Sequence, residues 1–177
     1  MQQKKRFLET ANENVALAMS CVPGCPELVD LSAEHIAVTE IGDRITMTQE
    51  DGIEEYIREH FLKYRGIRGV YGYPIGSVIS GNIMSNEIPT ISKFFYKARA
   101  NASCTLETRP VGQYLRILHR GAYHLSLKTL AIATDYMRNH ALIQNGNIYE
   151  YDSLVFFGSN NEDESGCLFY IPVKSLM

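Results

Sequence analysis

Residues 51–64 read DGIEEYIREHFLKY, and residues 125–140 read LSLKTLAIATDYMRNH. In both segments apolar side chains recur at the three- and four-residue spacing of a single helix face. Adding 74 to the positions of three residues in the first segment reaches three in the second: Ile53, Tyr56 and Ile57 superpose on Leu127, Leu130 and Ala131. The two helices therefore indicate that the chain is built twice, the alternative being a coincidence of two weak patterns.

Short strand-like segments flank the two helices in the same order. One segment precedes each helix and two come after it, and the 74-residue offset also superposes Phe94-Phe95-Tyr96 on Leu168-Phe169-Tyr170. A single β-α-β-β unit exposes a whole sheet face, so two units are expected to pair. The sequence predicts an α+β fold of duplicated β-α-β-β modules with pseudo-two-fold symmetry, antiparallel sheets and helices on the outer face. The predicted strands are 35–41, 75–79 and 94–96 in the first module, and 113–118, 148–157 and 168–170 in the second.

These elements place module one at about 33–98 and module two at about 112–174, within a domain spanning 31–177. Residues 1–30 are predicted to form an N-terminal helix and a linker. Residues 1–19 carry an apolar stripe at helical spacing, and Pro23, Gly24 and Pro26 interrupt any regular element in the segment after them. An amphipathic helix of this kind is compatible with a homodimer through residues 1–19.

The composition excludes several classes of protein. The 177 residues are 45% hydrophobic and carry a net charge of −3, which argues against a free-standing nucleic-acid binder. The uncharged run 69–86 contains four glycines and Pro74, so we interpret it as turn and strand rather than as a membrane span. The four cysteines show neither a disulfide framework nor paired metal-ligand spacing. We expect a cytoplasmic protein without membrane, metal or cofactor.

Residues 147–157, NIYEYDSLVFF, contain the candidate ligand-binding carboxylate, Glu150. On a strand, Glu150 shares one face with Ile148 and Asp152, while Tyr149 and Tyr151 lie on the other. We expect Glu150 on the side away from the helix, among aromatic rings, where a carboxylate is costly to desolvate unless a positive charge is near. A cationic, apolar ligand would supply that charge, and tyrosine rings would add cation–π attraction. The alternative is a hydrated strand edge without a role.

Three motifs in order resemble the GyrI-like effector-binding domain, the module at the C-terminus of many MerR- and AraC-type transcription regulators and also a stand-alone protein. The sequence His119-Arg120-Gly121-Ala122-Tyr123 matches the H-R-G-x-Y turn of that family. Tyr149-Glu150 matches its Tyr-Glu pair, and Tyr170-Ile171-Pro172-Val173-Lys174 matches its closing strand. The resemblance implies that the two modules form a concave cleft for small molecules, often cationic and aromatic ones.

Carried over to this sequence, the resemblance makes Glu150 the acidic anchor of the ligand. The cleft aromatics that it implies are Tyr149, Tyr170 and, through the offset, Tyr96; Tyr71, Tyr73 and Phe156 are weaker candidates. Gly76 falls where the second module has Glu150, so a single acidic anchor is expected.

The resemblance implies the ligand-sensing part of a transcription regulator that binds a small molecule, either aromatic or lipophilic and cationic. Only a separate domain, absent from this chain, would contact DNA. Two alternatives stay open. One is a stand-alone hydrolase of electrophilic small molecules, with Glu150 as base and a cleft tyrosine as acid. The other is a module that sequesters a protein partner.

Overall fold

The structure is a computed structural model that describes residues 2–48, 52–85, 87–152 and 165–176. Three α-helices are present in this part of the chain, together with one turn of 3₁₀ helix over Tyr123–Leu125. The helices are α1 (Gln2–Ser20), α2 (Ile53–Tyr64) and α3 (Ser126–Asn139). The strands are β1 (Glu27–Leu31), β2 (Glu34–Thr46), β3 (Val70–Ser80), β4 (Thr90–Ala98), β5 (Glu107–Arg109), β6 (Gly112–Arg120), β7 (Leu142–Gln144), β8 (Ile148–Asp152) and β9 (Gly166–Ser175).

All the strands join one antiparallel sheet in the order β1-β6-β9-β8-β3-β4-β2-β5, with β7 paired to β9 beside this path. Module one contributes β2, β4 and β3, and module two contributes β6, β9 and β8 in the mirrored order. The two modules meet where β3 pairs with β8. This arrangement confirms the predicted α+β fold of duplicated β-α-β-β modules.

Helices cover both faces of the sheet. Tyr64 of α2 and Leu130, Ala133 and Met137 of α3 are buried in one core on the same face. Ala18 of α1 is buried in a second core on the opposite face. The predicted stripe of α3 was wrong at Ala131, which is exposed, because the buried face of the helix runs instead through Ala133. The homodimer predicted from residues 1–19 stays a prediction.

The 74-residue offset holds for the order of the elements but is wrong for the strands. Gly76 pairs with Tyr151, and Ser77 pairs with Glu150. Since side chains alternate between faces along a strand, Ser77 and Glu150 share one face and Gly76 lies on the other. A two-fold axis between two adjacent antiparallel strands maps each residue onto a residue whose side chain lies on the same face of the sheet. In the β3–β8 register an even-numbered residue shares its face with an odd-numbered one, so the true offset between the modules must be odd. The even offset therefore equates residues on opposite sides of the sheet.

Gly76 has a packing role that the sequence did not reveal. A Cβ atom at this position would lie 2.2 Å from Cζ of Phe95, because the Phe95 ring crosses over β3 at this point. That ring also makes edge contacts with Tyr151 and Tyr149, at centroid distances of 5.1 and 6.2 Å. A glycine at the junction of the modules thus allows the aromatic side chains beneath α1 to pack against one another.

Three short strands were not predicted. The segment interpreted as a linker contains most of β1, which pairs with β6 at one edge of the sheet. At the start of α3, the buried hydroxyl of Ser126 has no hydrogen-bond partner among the described residues. The predicted strand 148–157 is described only as far as residue 152, because residues 153–157 lie outside the described residues. Within the described ranges, no helix is long and apolar enough to cross a membrane.

Candidate ligand-binding site

A cavity of about 260 Å³ lies between α2, the 3₁₀ turn before α3 and the sheet. Its apolar wall comes from one side of α2 and from β3 and β4, with Ile53, Ile57, Ile75, Ile91 and Phe94. Its polar groups come from the strands and turns of both modules: Ser77, His119, Tyr123, Glu150, Asp152, Ser165 and Cys167. Among the described lining residues there is no lysine or arginine. The cavity is therefore apolar in its walls and acidic in its polar part.

Glu150 is 7% exposed and lies at the centre of the polar groups. Its Oε2 atom accepts a hydrogen bond of 2.5 Å from the Ser77 hydroxyl and one of 3.1 Å from the Tyr123 hydroxyl. Burial raises the pKa of the Glu150 carboxyl above its usual range, and hydrogen bonds from Ser77, Tyr123 and Cys167 oppose that rise. Hydrogen-bond donors thus fix the position of the carboxylate, but no cationic side chain among the described lining residues balances its negative charge.

Strand pairing explains how these groups meet. The β3–β8 register places Ser77 beside Glu150, and the β8–β9 register places Cys167 beside Asp152. The Ser77–Glu150 contact therefore joins the two modules, and neither module alone contains this site. The expectation that Glu150 lies away from the helices was wrong: it faces α2 and the start of α3, on the same side of the sheet.

The H-R-G-x-Y turn positions Tyr123. Gly121 has a φ of 115°, a conformation that favours glycine. Its amide donates to the Ser165 carbonyl at 3.0 Å, and the Ser165 hydroxyl donates back to the Gly121 carbonyl at 2.8 Å. This turn carries the chain from β6 to the 3₁₀ helix and brings the Tyr123 hydroxyl to Glu150.

His119 anchors the same turn as a neutral imidazole. Its Nε2 atom lies 3.1 Å from the Ala122 carbonyl, which can only accept, so Nε2 carries the proton. Nδ1 then accepts from the Thr129 hydroxyl at 2.8 Å. Burial lowers the pKa of His119, which favours the neutral form. His119 therefore ties β6 to α3 and gives Glu150 no positive partner.

Tyr123 keeps its proton across the physiological range. Burial, followed by the nearby Glu150 charge, raises the pKa of its phenol well above 10. Tyr123 belonged to the predicted turn motif but not to the predicted site, and Phe94 was likewise missing from the predicted site. The turn motif was the available signal for Tyr123, whereas Phe94 depends on the face of β4, which the even offset concealed.

The predicted aromatic companions of Glu150 do not surround it. Tyr149 and Tyr170 lie on the opposite face, in the core beneath α1. Tyr96 shares the face of Glu150 but packs beneath α2, with its ring centroid 4.3 Å from that of His60. None of these three lines the cavity.

The weaker candidates have different positions. Tyr73 is buried, and burial together with the charge of Asp152 raises its pKa to about 12, although it does not line the cavity. Tyr71 is half-buried and lies outside the lining. Phe156 lies outside the described residues.

Comparison of folds finds similar structures where comparison of sequences finds none. No protein-family model matches the chain, and a search of curated proteins finds no match. The crystal structure of the EcmrR C-terminal domain superposes with a TM-score of 0.65 at 10% identity, over 85% of this chain and 98% of that one. The chain has a GyrI-like fold. This confirms the fold that the resemblance drawn from the three motifs implies.

Two further structures share the GyrI-like fold. A hydrolase from Listeria innocua superposes with a TM-score of 0.55 at 9% identity, over 86% of this chain and 93% of that one. SAV2435 bound to tetraphenylphosphonium superposes with a TM-score of 0.50 at 11% identity, over 86% of this chain and 95% of that one. The chain spans only 57% of EcmrR as seen in its complex with DNA.

Proposed function

We propose that this chain is a ligand-binding domain of the effector-sensing kind, which takes a lipophilic monocation into the cavity above Glu150. The observation that carries the proposal is a buried carboxylate, held by hydrogen-bond donors, in an apolar cavity whose described lining includes no lysine or arginine. The SAV2435 structure, which holds a lipophilic phosphonium ion on the same fold, supports this ligand class.

The energetics favour a cation over a neutral ligand. A buried carboxylate without a counter-charge is destabilised, as the raised pKa of Glu150 indicates. A ligand cation would relieve that cost, while Ile53, Ile57 and Phe94 would remove its apolar surface from water. Asp152 lines the same cavity and adds to its negative potential.

Sensing would require a second part that reads DNA. EcmrR in its DNA complex is longer than the region matched here, which is consistent with a ligand-binding domain that serves a separate DNA-binding unit. Because the Ser77–Glu150 hydrogen bond and the cavity walls join both modules, a bound cation would change the forces at their junction. We propose this junction as the place where ligand binding is converted into a change of shape.

A hydrolase is the second candidate, favoured by the likeness to the Listeria innocua protein and by the closeness of Tyr123 and Glu150. The geometry suits it less well. The Tyr123 hydroxyl already donates its hydrogen bond to Glu150, and its pKa lies well above 10, so it is a poor general acid near neutral pH. We therefore favour binding over turnover.

The test is isothermal titration calorimetry of the chain with tetraphenylphosphonium. Glu150→Gln removes the charge and keeps an oxygen that can accept from Ser77 and Tyr123. We expect the affinity to fall at least about ten-fold, which corresponds to about 1.4 kcal/mol. The matched control is Glu59→Gln, which removes the same charge from an exposed position on α2 and should leave the affinity unchanged. Equal affinities for the wild type and Glu150→Gln would refute Glu150 as the anchor.

A further inference from the structure

A second cavity, of about 310 Å³, lies on the opposite face of the sheet, between α1 and the strands. Its walls are amphipathic, with Leu17 of α1 facing the rings of Tyr151 and Tyr170. Unlike the first cavity, its lining contains two basic side chains, Lys97 and Arg109. The two faces of the sheet therefore carry cavities of opposite character.

The two cations share one partly buried carboxylate. Glu34 Oε1 lies 3.2 Å from Lys97 Nζ, and Glu34 Oε2 lies 3.6 Å from Arg109 Nε, which is beyond hydrogen-bond range. Glu34 Oε2 instead accepts a hydrogen bond of 2.6 Å from the Tyr151 hydroxyl. The other acidic side chain of the lining, Asp30, is exposed and therefore screened by water. The buried part of the cavity thus has an excess positive charge.

Arg109 has donors that the described part of the chain does not satisfy. The residue is 5% exposed, and its Nη2 atom donates to the Ser32 carbonyl at 3.0 Å. Its Nε and Nη1 atoms are buried and have no hydrogen-bond partner among the described residues. Buried guanidinium N–H groups are normally paired, and their planar arrangement matches a carboxylate. This guanidinium therefore points to an acceptor supplied by a ligand.

We propose that this second cavity binds a small organic monocarboxylate. Its carboxylate would neutralise the excess charge of Lys97 and Arg109 and accept hydrogen bonds from the buried Nε and Nη1 atoms of Arg109. Its apolar part would lie between Leu17 and the rings of Tyr151 and Tyr170. The site is separated from Glu150 by the thickness of the sheet, so the proposal does not depend on the function proposed for the first cavity.

The experiment is an NMR titration of the full chain with benzoate, with benzyl alcohol as the uncharged analogue. We expect benzoate to bind at least ten-fold more tightly than benzyl alcohol. Arg109→Gln should lower the benzoate affinity at least ten-fold, and Lys97→Met should lower it several-fold. Arg138→Gln, a matched change at an exposed position on α3, should leave it unchanged.

Three results would overturn the proposal: no benzoate binding to the wild type, equal affinity for benzyl alcohol, or undiminished benzoate affinity in the folded variants. Circular dichroism establishes whether each variant is folded. If Arg109→Gln does not fold, Lys97→Met decides alone, because Lys97 is less buried and its side chain reaches solvent.

Discussion

At the scale of single residues, the site is defined by the partners of Glu150 rather than by the rings near it in sequence. Two hydroxyl groups from different modules meet on one carboxylate oxygen. These bonds stabilise the ionised form, whereas burial opposes it and raises the pKa of Glu150 overall. Ligand affinity should therefore depend on pH, since only the ionised carboxylate attracts a cation.

Ser77→Ala should move that pH dependence in a predictable direction. Removing the 2.5 Å hydrogen bond destabilises the ionised carboxylate, so the pKa of Glu150 rises further. Tetraphenylphosphonium affinity falls as pH drops through this pKa, and we expect the midpoint in Ser77→Ala to lie about one pH unit higher than in the wild type. The measurement is calorimetric affinity between pH 4 and 8, with Ser92→Ala as the matched control. Coincident midpoints for Ser77→Ala and the wild type would contradict this role of the Ser77 hydroxyl.

Glu150 was predictable from the sequence because a carboxylate in an apolar, aromatic strand needs an explanation. Its companions were not, because the face of each strand depends on pairing register, which a sequence repeat leaves undetermined to within one residue. Tyr96 and Tyr170 look equivalent in the alignment of the halves and lie on opposite faces in the sheet.

At the scale of elements, two histidine–threonine hydrogen bonds attach the helices to the sheet. His119 of β6 contacts Thr129 of α3, and His60 of α2 contacts Thr39 of β2, each at 2.8 Å. The histidine lies on the strand in one module and on the helix in the other. Burial lowers the pKa of His60 to about 3, so this histidine is neutral in the folded protein.

His60 should therefore make the protein sensitive to acid. An unfolded histidine takes up a proton below pH 6.5, and the folded one does not until about pH 3, so stability falls between these values as pH decreases. The expected contribution is about 1.4 kcal/mol per pH unit. Urea unfolding of His60→Gln should show a shallower loss of stability over this range, whereas His140→Gln, at an exposed position, should keep the slope of the wild type. An unchanged slope in His60→Gln would show that His60 is not a buried neutral group.

The long elements were predictable and the short ones were not. Helical periodicity located α2 and α3 because their apolar faces meet the core over several turns. The three-residue strands β5 and β7 carry too few alternating positions to give a pattern, and β1 was hidden by the prolines and glycine before it. From the sequence, Gly76 indicated only that the first module lacks an equivalent of Glu150. In the structure, its missing side chain leaves room for the Phe95 ring.

At the scale of the whole molecule, one sheet separates an acidic, apolar cavity from a basic, amphipathic one. The acidic cavity lies at the junction of the modules, so duplication has created a site that neither half contains. The basic cavity lies beneath α1, which is not part of the duplication. The GyrI-like fold thus supplies the frame, and we propose that the residues at its pseudo-two-fold axis determine the charge of the ligand.

The most direct test of that claim compares two ions of the same shape and opposite charge. Tetraphenylphosphonium and tetraphenylborate present the same four phenyl groups, so the ratio of their affinities isolates charge from apolar burial. We predict that the wild-type chain prefers the phosphonium by at least about ten-fold and that Glu150→Gln reduces this preference by at least about ten-fold. Equal affinity of the wild type for both ions, or a preference that Glu150→Gln leaves intact, would contradict Glu150 as the determinant of ligand charge.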